Sequence, residues 1–211
     1  MLETLGVALA TLFATIGPLN AATVFAGLTS STPATRRRQM AMRGTVVATS
    51  ILLVFALVGE ILLAGLGISL AALRTAGGIL LLMVGIDLVF ARHSAVTSTT
   101  DEEEEEARGK QDISVFPLAT PLIAGPGSMG ASVLLMANAG DDLLRQVAVL
   151  LGLFLIMALT LTMMLLSSQI NRLIGTTGMQ VIERVMGVLL SALAIQFMFD
   201  GIAQSGLLAV S

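Results

Sequence analysis

Ile16-Gly17-Pro18-Leu19-Asn20 interrupts the first apolar run of the chain, and Ala124-Gly125-Pro126-Gly127-Ser128 interrupts another just past its middle. Proline has no amide to donate and glycine costs a helix backbone entropy, so each pair predicts the end of one half-helix and the start of another at membrane depth. Backbone freed there is tolerated only where protein buries it or a polar cavity receives it. A single Gly-Pro reads as an ordinary packing kink, because both residues are frequent in membrane helices. Two at corresponding positions of two halves point instead to the substrate site of a secondary transporter.

The surrounding composition demands a bilayer. Of 211 residues, 55% are hydrophobic and 12% charged, too apolar for an ordinary soluble domain. A hydrocarbon core takes roughly 20 helical residues per span. The apolar runs predict six spans, near 4–29, 42–66, 70–91, 113–138, 143–168 and 178–206. The first is too long and too little basic at its front for a cleaved signal peptide. With no cysteine, disulfides and thiolate chemistry are excluded. The net charge of −3 comes largely from one acidic run and says little about partners. No nucleic-acid partner and no cofactor is expected, and a homo-oligomer stays open.

Cytoplasmic loops retain Lys and Arg. Arg36, Arg37, Arg38 and Arg43 surround the first connection, Arg92, Arg108 and Lys110 the third, and Arg172 and Arg184 the fifth; only Arg74 and Arg145 flank the others. Both termini are therefore expected outside.

Laying Gly17-Pro18 on Gly125-Pro126 also superimposes Gly44 on Gly152 and Gly67 on Gly175, and a two-residue shift brings Arg74 and Gly77 onto Arg184 and Gly187. Each unit holds three spans, so the second copy crosses the membrane in the opposite sense. The predicted fold is an all-α membrane protein of two inverted three-helix repeats, 1–91 and 113–211, with helices 1 and 4 broken at Gly-Pro. Ala71, Gly78 and Gly85 in one third helix, and Gly187, Ala194 and Gly201 in the other, recur every seven residues as stripes for close packing. The segment 92–112 between the units carries the run Glu102 to Glu106 and reads as a solvated cytoplasmic linker.

At each break the second half-helix, starting near Leu19 or Gly127, turns unpaired amides toward the membrane centre, and the first half turns carbonyls there. Such a centre suits a zwitterion. Gly17, Ala21 and Ala22 on one side, with Gly125, Gly127, Ser128, Gly130, Ala131 and Ser132 on the other, favour a small one. Pro18 and Pro126 open the second halves. Asn20, Thr23 and Ser128 can hydrogen-bond a ligand, and they can equally cap the half-helices. Glu60 and Asp87 are candidate coupling carboxylates. Counting 1.5 Å per residue, Glu60 lies about 25 Å from Arg43, and Asp87 about 8 Å from Arg92, its expected partner. Those depths, like that of Asp200, favour anchoring at the interface over proton relay. Gln169 and Gln196 read as interhelical hydrogen-bonding residues. An enzyme is not expected: the only histidine, His93, falls in the linker, no metal-ligand set accompanies it, and Gly125 to Ser128 does not reproduce a nucleophile elbow.

Pro117-Leu118-Ala119-Thr120-Pro121-Leu122-Ile123-Ala124-Gly125-Pro126-Gly127 resembles the P-L-A-x-P-L-x-A-G-P-G signature of the MarC family, also called SnatA. Gly17-Pro18-Leu19-Asn20, followed by Val24-Phe25 and Leu28-Thr29, is similar to its partner motif D-P-x-G-N-x-P-x-F in degraded form. The resemblance spans essentially the whole chain. It implies a multi-pass protein of a bacterial or archaeal inner membrane that transports small neutral amino acids such as glycine, alanine or threonine, usually outward. Carried over by the motifs are Pro18, Gly125, Pro126 and Gly127, with Asn20 standing in for a displaced asparagine. Gly17 occupies the place of the motif's Asp, and Thr23 that of its second proline, so ion coupling through that Asp does not carry over. The competing readings are a non-transporting membrane scaffold and a carrier of another small solute or a metal ion.

Overall fold

The computed structural model describes residues 1–29, 32–90 and 112–205, with side chains at 62–64, 70, 168–177, 179–180 and 182–183 excepted. Arg92, His93, the Glu102 to Glu106 run and the end of the sixth span at 206 lie outside the described residues. Within them the chain is helical and has no strand: α1 Leu2–Ile16, α2 Pro18–Leu28, α3 Ala34–Gly65, α4 Leu70–Phe90, a π-wound segment α5 Ser114–Ile123, α6 Pro126–Ala139, α7 Leu143–Leu165 and α8 Ser167–Gln204. Five helical stretches are long and apolar enough to cross a membrane, and α5 with α6, bent by 57° at their junction, makes a sixth. α1 and α2 count together as one such stretch, Leu2–Leu28.

Helix limits differ from span limits at two places. α3 starts at Ala34, immediately after Pro33 and ahead of its arginines, rather than near 42. α8 starts at Ser167, so the expected loop before 178 is helical and the helix runs for 38 residues. Hydropathy marks where a helix is in lipid, and good helix formers such as Arg continue it beyond. Gly67 forms a left-handed turn between α3 and α4, φ 71, whereas Gly175 lies within α8, so the pairing of these two glycines has no structural counterpart.

Packing follows the small residues. α1 and α2 lie on α7, α5 and α6 lie on α3, and α4 runs along α8 in the most extensive pairing of the bundle. At Gly44 on α3 an added Cβ would stand 2.6 Å from Leu118 Cδ2 and 2.9 Å from the Ser114 carbonyl; at Gly152 on α7 it would stand 3.1 Å from Ala8 Cβ. The stripes expected on α4 and α8 face each other: a Cβ at Gly78 would lie 2.7 Å from the Ala194 carbonyl, one at Gly85 would strike Ser191 and lie 3.0 Å from the Gly187 carbonyl, and one at Gly201 would lie 2.8 Å from the Ala71 carbonyl. Without a hydrophobic drive between helices in lipid, such close backbone approach is what holds them. The core contains Leu12, Phe25, Leu52, Leu118, Leu134, Leu153 and Leu190. Val54, Leu57 and Ile61 on α3, and Leu151 and Leu155 on α7, are exposed apolar residues on the outside, as a surface bathed in hydrocarbon requires.

One polar contact fixes the start of α5. The Asp112 carboxylate accepts the Ser114 amide at 3.0 Å and pairs with Arg43 at 3.0 Å on the surface. Hydrogen bonds from Ser114 lower its pKa below the ordinary carboxylate value, Arg43 and Arg36 add to this, and burial opposes it. The small stabilisation this supplies is present above the ordinary value and fades as pH falls through the lowered one.

Candidate functional site

Gly17 takes φ 60, ψ 62, the left-handed region that costs other residues roughly 1–2 kcal/mol. In that conformation its amide closes α1 on the Phe13 carbonyl at 3.0 Å, and its carbonyl accepts from Ala21 at 2.9 Å to open α2. Pro18 follows at the first helical position, where a missing amide costs nothing. No side chain caps this start. The amides of Leu19 and Asn20 are therefore first-turn donors with no intrahelical acceptor.

The second junction is built differently. Before it the chain is not an α-helix: Pro117 and Pro121 sit inside α5, and Phe116 and Thr120 are extended at φ −128, ψ 127 and φ −134, ψ 134. The peptide bonds Phe116-Pro117 and Thr120-Pro121 are cis. Wide-turn hydrogen bonds hold the segment, from Leu118 to the Ile113 carbonyl at 3.2 Å and from Ala124 to the Ala119 carbonyl at 2.8 Å. Each extended residue precedes a proline, which disfavours the helical region for it, so the expected straight half-helix ending near Ala124 is replaced by an irregular coil. Gly125, φ −88, ψ 174, then leads into α6 at Pro126, again without a side-chain cap.

Ser128 neither caps nor stands free. Its buried hydroxyl donates toward the Ile123 carbonyl at 2.8 Å and the Gly125 carbonyl at 3.0 Å, tying the coil to the helix. We expect Ser128→Ala to lower stability by about 1–2 kcal/mol, measured as a shift in unfolding in mixed micelles, since buried bonds of this kind are lost with no replacement. Asn20, half-buried, makes no hydrogen bond to a described residue. Thr23 is exposed and spends its hydroxyl on the Leu19 carbonyl at 3.0 Å. Pro18, Leu19, Gly125 and Gly127 are buried, Gly17 is half-buried and Pro126 exposed.

A small cavity of about 30 Å³ touches Gly17, Pro18, Leu19 and Asn20 together with Leu88 and Met186; no residue of the second junction lines it. Glu60 is exposed on α3 and Asp87 half-buried on α4. Gln196 donates to Asp200 one turn on, at 2.9 Å, and thus bonds within α8 and not between helices. Two features had no sign in the sequence. Arg37 donates to the buried Ser167 hydroxyl and stands over the Phe25 ring at 5.5 Å, joining α2, α3 and α8 at one end of the bundle. At the other end a cavity of about 230 Å³ is lined by Glu3, Thr4, Asn138 and Arg145 among apolar residues.

Over residues 2–205 the chain matches the family described as MarC family integral membrane protein. It is similar to a UPF0056 membrane protein of Methanocaldococcus jannaschii, 38% identical over 195 residues covering 92% of this chain and 94% of that one. A UPF0056 membrane protein of Bacillus subtilis is 33% identical over 191 residues, 90% of each chain. The UPF0056 inner membrane protein MarC of Escherichia coli is 29% identical over 212 residues, 97% of this chain and 96% of that one. No solved structure matches. Because the family match runs through both glycine-proline junctions and every described helix, the chain belongs to the MarC family of integral membrane proteins.

Proposed function

We propose that this protein is a secondary transporter, working as an exporter in a prokaryotic cytoplasmic membrane, that carries small neutral amino acids by alternating access between two inverted repeats, with no enzymatic step. The observation that carries the reading is the pair of uncapped helix starts at Pro18 and Pro126, inside a bundle whose exterior is apolar. Free amides at such starts receive a carboxylate, and the adjoining carbonyls an ammonium group. Leu19, Asn20, Gly127 and Ser128 supply the first-turn positions, and a small ligand fits the small residues around them.

Reciprocal packing supports the repeat. The first span of each half lies on the second span of the other, with Gly44 and Gly152 as the matching points of close approach. On the third helices the contacts relate Gly85 to Gly201 and Thr75 to Ser191, since each of these hydroxyls bonds back to the carbonyl four residues earlier on its own helix, Ala71 at 3.0 Å and Gly187 at 2.8 Å. That register differs from the one laying Arg74 on Arg184, as the greater length of α8, 38 residues against 21 for α4, accommodates. The register that lays Gly17 on Gly125 also lays Arg37 on Arg145, and these equivalent ends differ: Arg37 is engaged with Phe25 and Ser167, while Arg145 borders a cavity. Alternating access requires such an inequality.

Flux of glycine, alanine or threonine by the purified protein in proteoliposomes tests the reading. The tight α4–α8 seam favours one competitor, a membrane scaffold that transports nothing, and it predicts no flux for any amino acid. Orientation has its own test, because nine of the eleven positive charges flank the odd-numbered connections. In this cysteine-free chain, Asp141→Cys should react with an impermeant thiol reagent on intact cells and Pro33→Cys should not, both positions being exposed. The reverse pattern would put both termini in the cytoplasm and leave the repeat intact.

A further inference from the structure

The cavity of about 230 Å³ lies where the start of α1, the end of α6 and the start of α7 meet α8. Neither junction contributes to it. Its apolar walls include Val7, Leu135 and Phe197, its polar side chains are Glu3, Thr4, Asn138 and Arg145, and Met1 also lines it. Asn138 Nδ2 is buried and has no hydrogen-bond partner among the described residues. A buried donor left unmade is costly, and in native proteins it calls for an explanation. Arg145 uses its Nε on Asp142 at 3.1 Å, one of five N–H donors that a guanidinium carries. Glu3 brings a carboxylate to the same space.

Two donor groups, one hydroxyl and one carboxylate in a single small cavity match a ligand that bears both an acceptor and a cation. A simple anion would meet Glu3, and a simple cation would meet Arg145. We infer that this cavity is a second binding station for a zwitterionic amino acid, with Asn138 and Arg145 receiving its carboxylate and Glu3 its ammonium group. The station rests on the transport reading: it is where substrate pauses at the open mouth of the path, before or after the helix junctions. Arg37, the equivalent of Arg145 in the other repeat, is held by Ser167 and Phe25. The equivalent arginine of the opposite end is therefore engaged with its own bundle in this conformation.

The test measures alanine flux from this face of oriented proteoliposomes and alanine binding in detergent, for the full chain and for Asn138→Leu, Arg145→Gln and Glu3→Gln. Each variant should raise KM about tenfold with kcat nearly unchanged, and Asn138→Gln, which keeps an amide, should recover most of the loss. Propionate, which has the carboxylate alone and would face Glu3 with no ammonium group, should compete poorly in the unaltered protein and better in Glu3→Gln. A purely structural defect would lower kcat and the folded fraction together. Arg145→Gln alters an exposed side chain and keeps the test open if Asn138→Leu fails to fold. Flux with KM unchanged in Arg145→Gln and Glu3→Gln removes the station and leaves the transporter. Alanine binding that is sensitive to these substitutions in a protein without flux keeps the station and removes transport. Neither binding nor flux removes both.

Discussion

Gly187→Val is expected to prevent the bundle from assembling. A Cβ at this position would stand 2.8 Å from the Gly85 carbonyl oxygen, 2.8 Å from Leu88 Cβ and 2.8 Å from the Val89 amide nitrogen, so two of its three nearest obstacles are backbone that cannot rotate away. Even alanine would have to push α8 off α4, and valine adds two methyl groups to that wedge. Overpacking a well-packed site typically costs about 1–3 kcal/mol. Here the cost falls on the longest seam of the bundle, where the association energy is van der Waals contact and nothing hydrophobic replaces it. We expect a loss of about 3 kcal/mol or more, seen as aggregation in detergent and a collapsed unfolding midpoint. Gly6→Ala is the control: nothing lies within 4 Å of its added Cβ, and stability should stay within about 0.5 kcal/mol. A folded Gly187→Val protein of normal stability would mean that α4 and α8 do not meet at this distance.

That seam was open to sequence reasoning because its signal is periodic: small residues seven apart on two helices specify a face, and a face of glycines has few uses in lipid other than close approach. Gly17 is equally plain, since a glycine ahead of proline suits the left-handed closure that ends one helix and begins the next. The coil before the second junction is a different case. Its evidence lies in Phe116-Pro117 and Thr120-Pro121, where each proline restricts the residue before it, yet the apolar run across 113–138 masks two such local rules behind a hydropathy that any span would have. Hydropathy also misses the first turns of α3 and the helical start of α8, because it measures depth in lipid and says nothing of where hydrogen bonding stops.

The contact of Arg37 with Phe25 and Ser167 is opaque for another reason. It joins residues far apart in the chain and depends on which ends of three helices converge. A cluster of arginines in the sequence speaks only for cytoplasmic retention. Likewise Glu3, Asn138 and Arg145 share no spacing, and only the fold puts them around one cavity. Side chains that meet across helices carry no local pattern, so the candidate site could be read where it is made of backbone and not where it is made of partners.

The backbone part can be tested alone with Gly127→Val. Gly127 is buried in the first turn of α6, behind Pro126, where amides have no intrahelical acceptor and no side chain caps them. Unlike Gly17, it does not have a positive φ, so a side chain there meets no left-handed strain and the substitution acts on access to the amides. A branched side chain should keep a carboxylate from the Gly127 and Ser128 amides. Hydrogen bonds to a charged group are worth about 1.5–3 kcal/mol each, so losing even the pair should weaken amino-acid binding by roughly 100-fold or more. Calorimetry in detergent and flux in proteoliposomes should both fall, with the folded fraction unchanged. Gly17→Val is the contrast, since strain at its positive φ should reduce stability as well as function. Full affinity in a well-folded Gly127→Val protein would move the substrate away from the helix junctions and remove the observation that carries the transport reading.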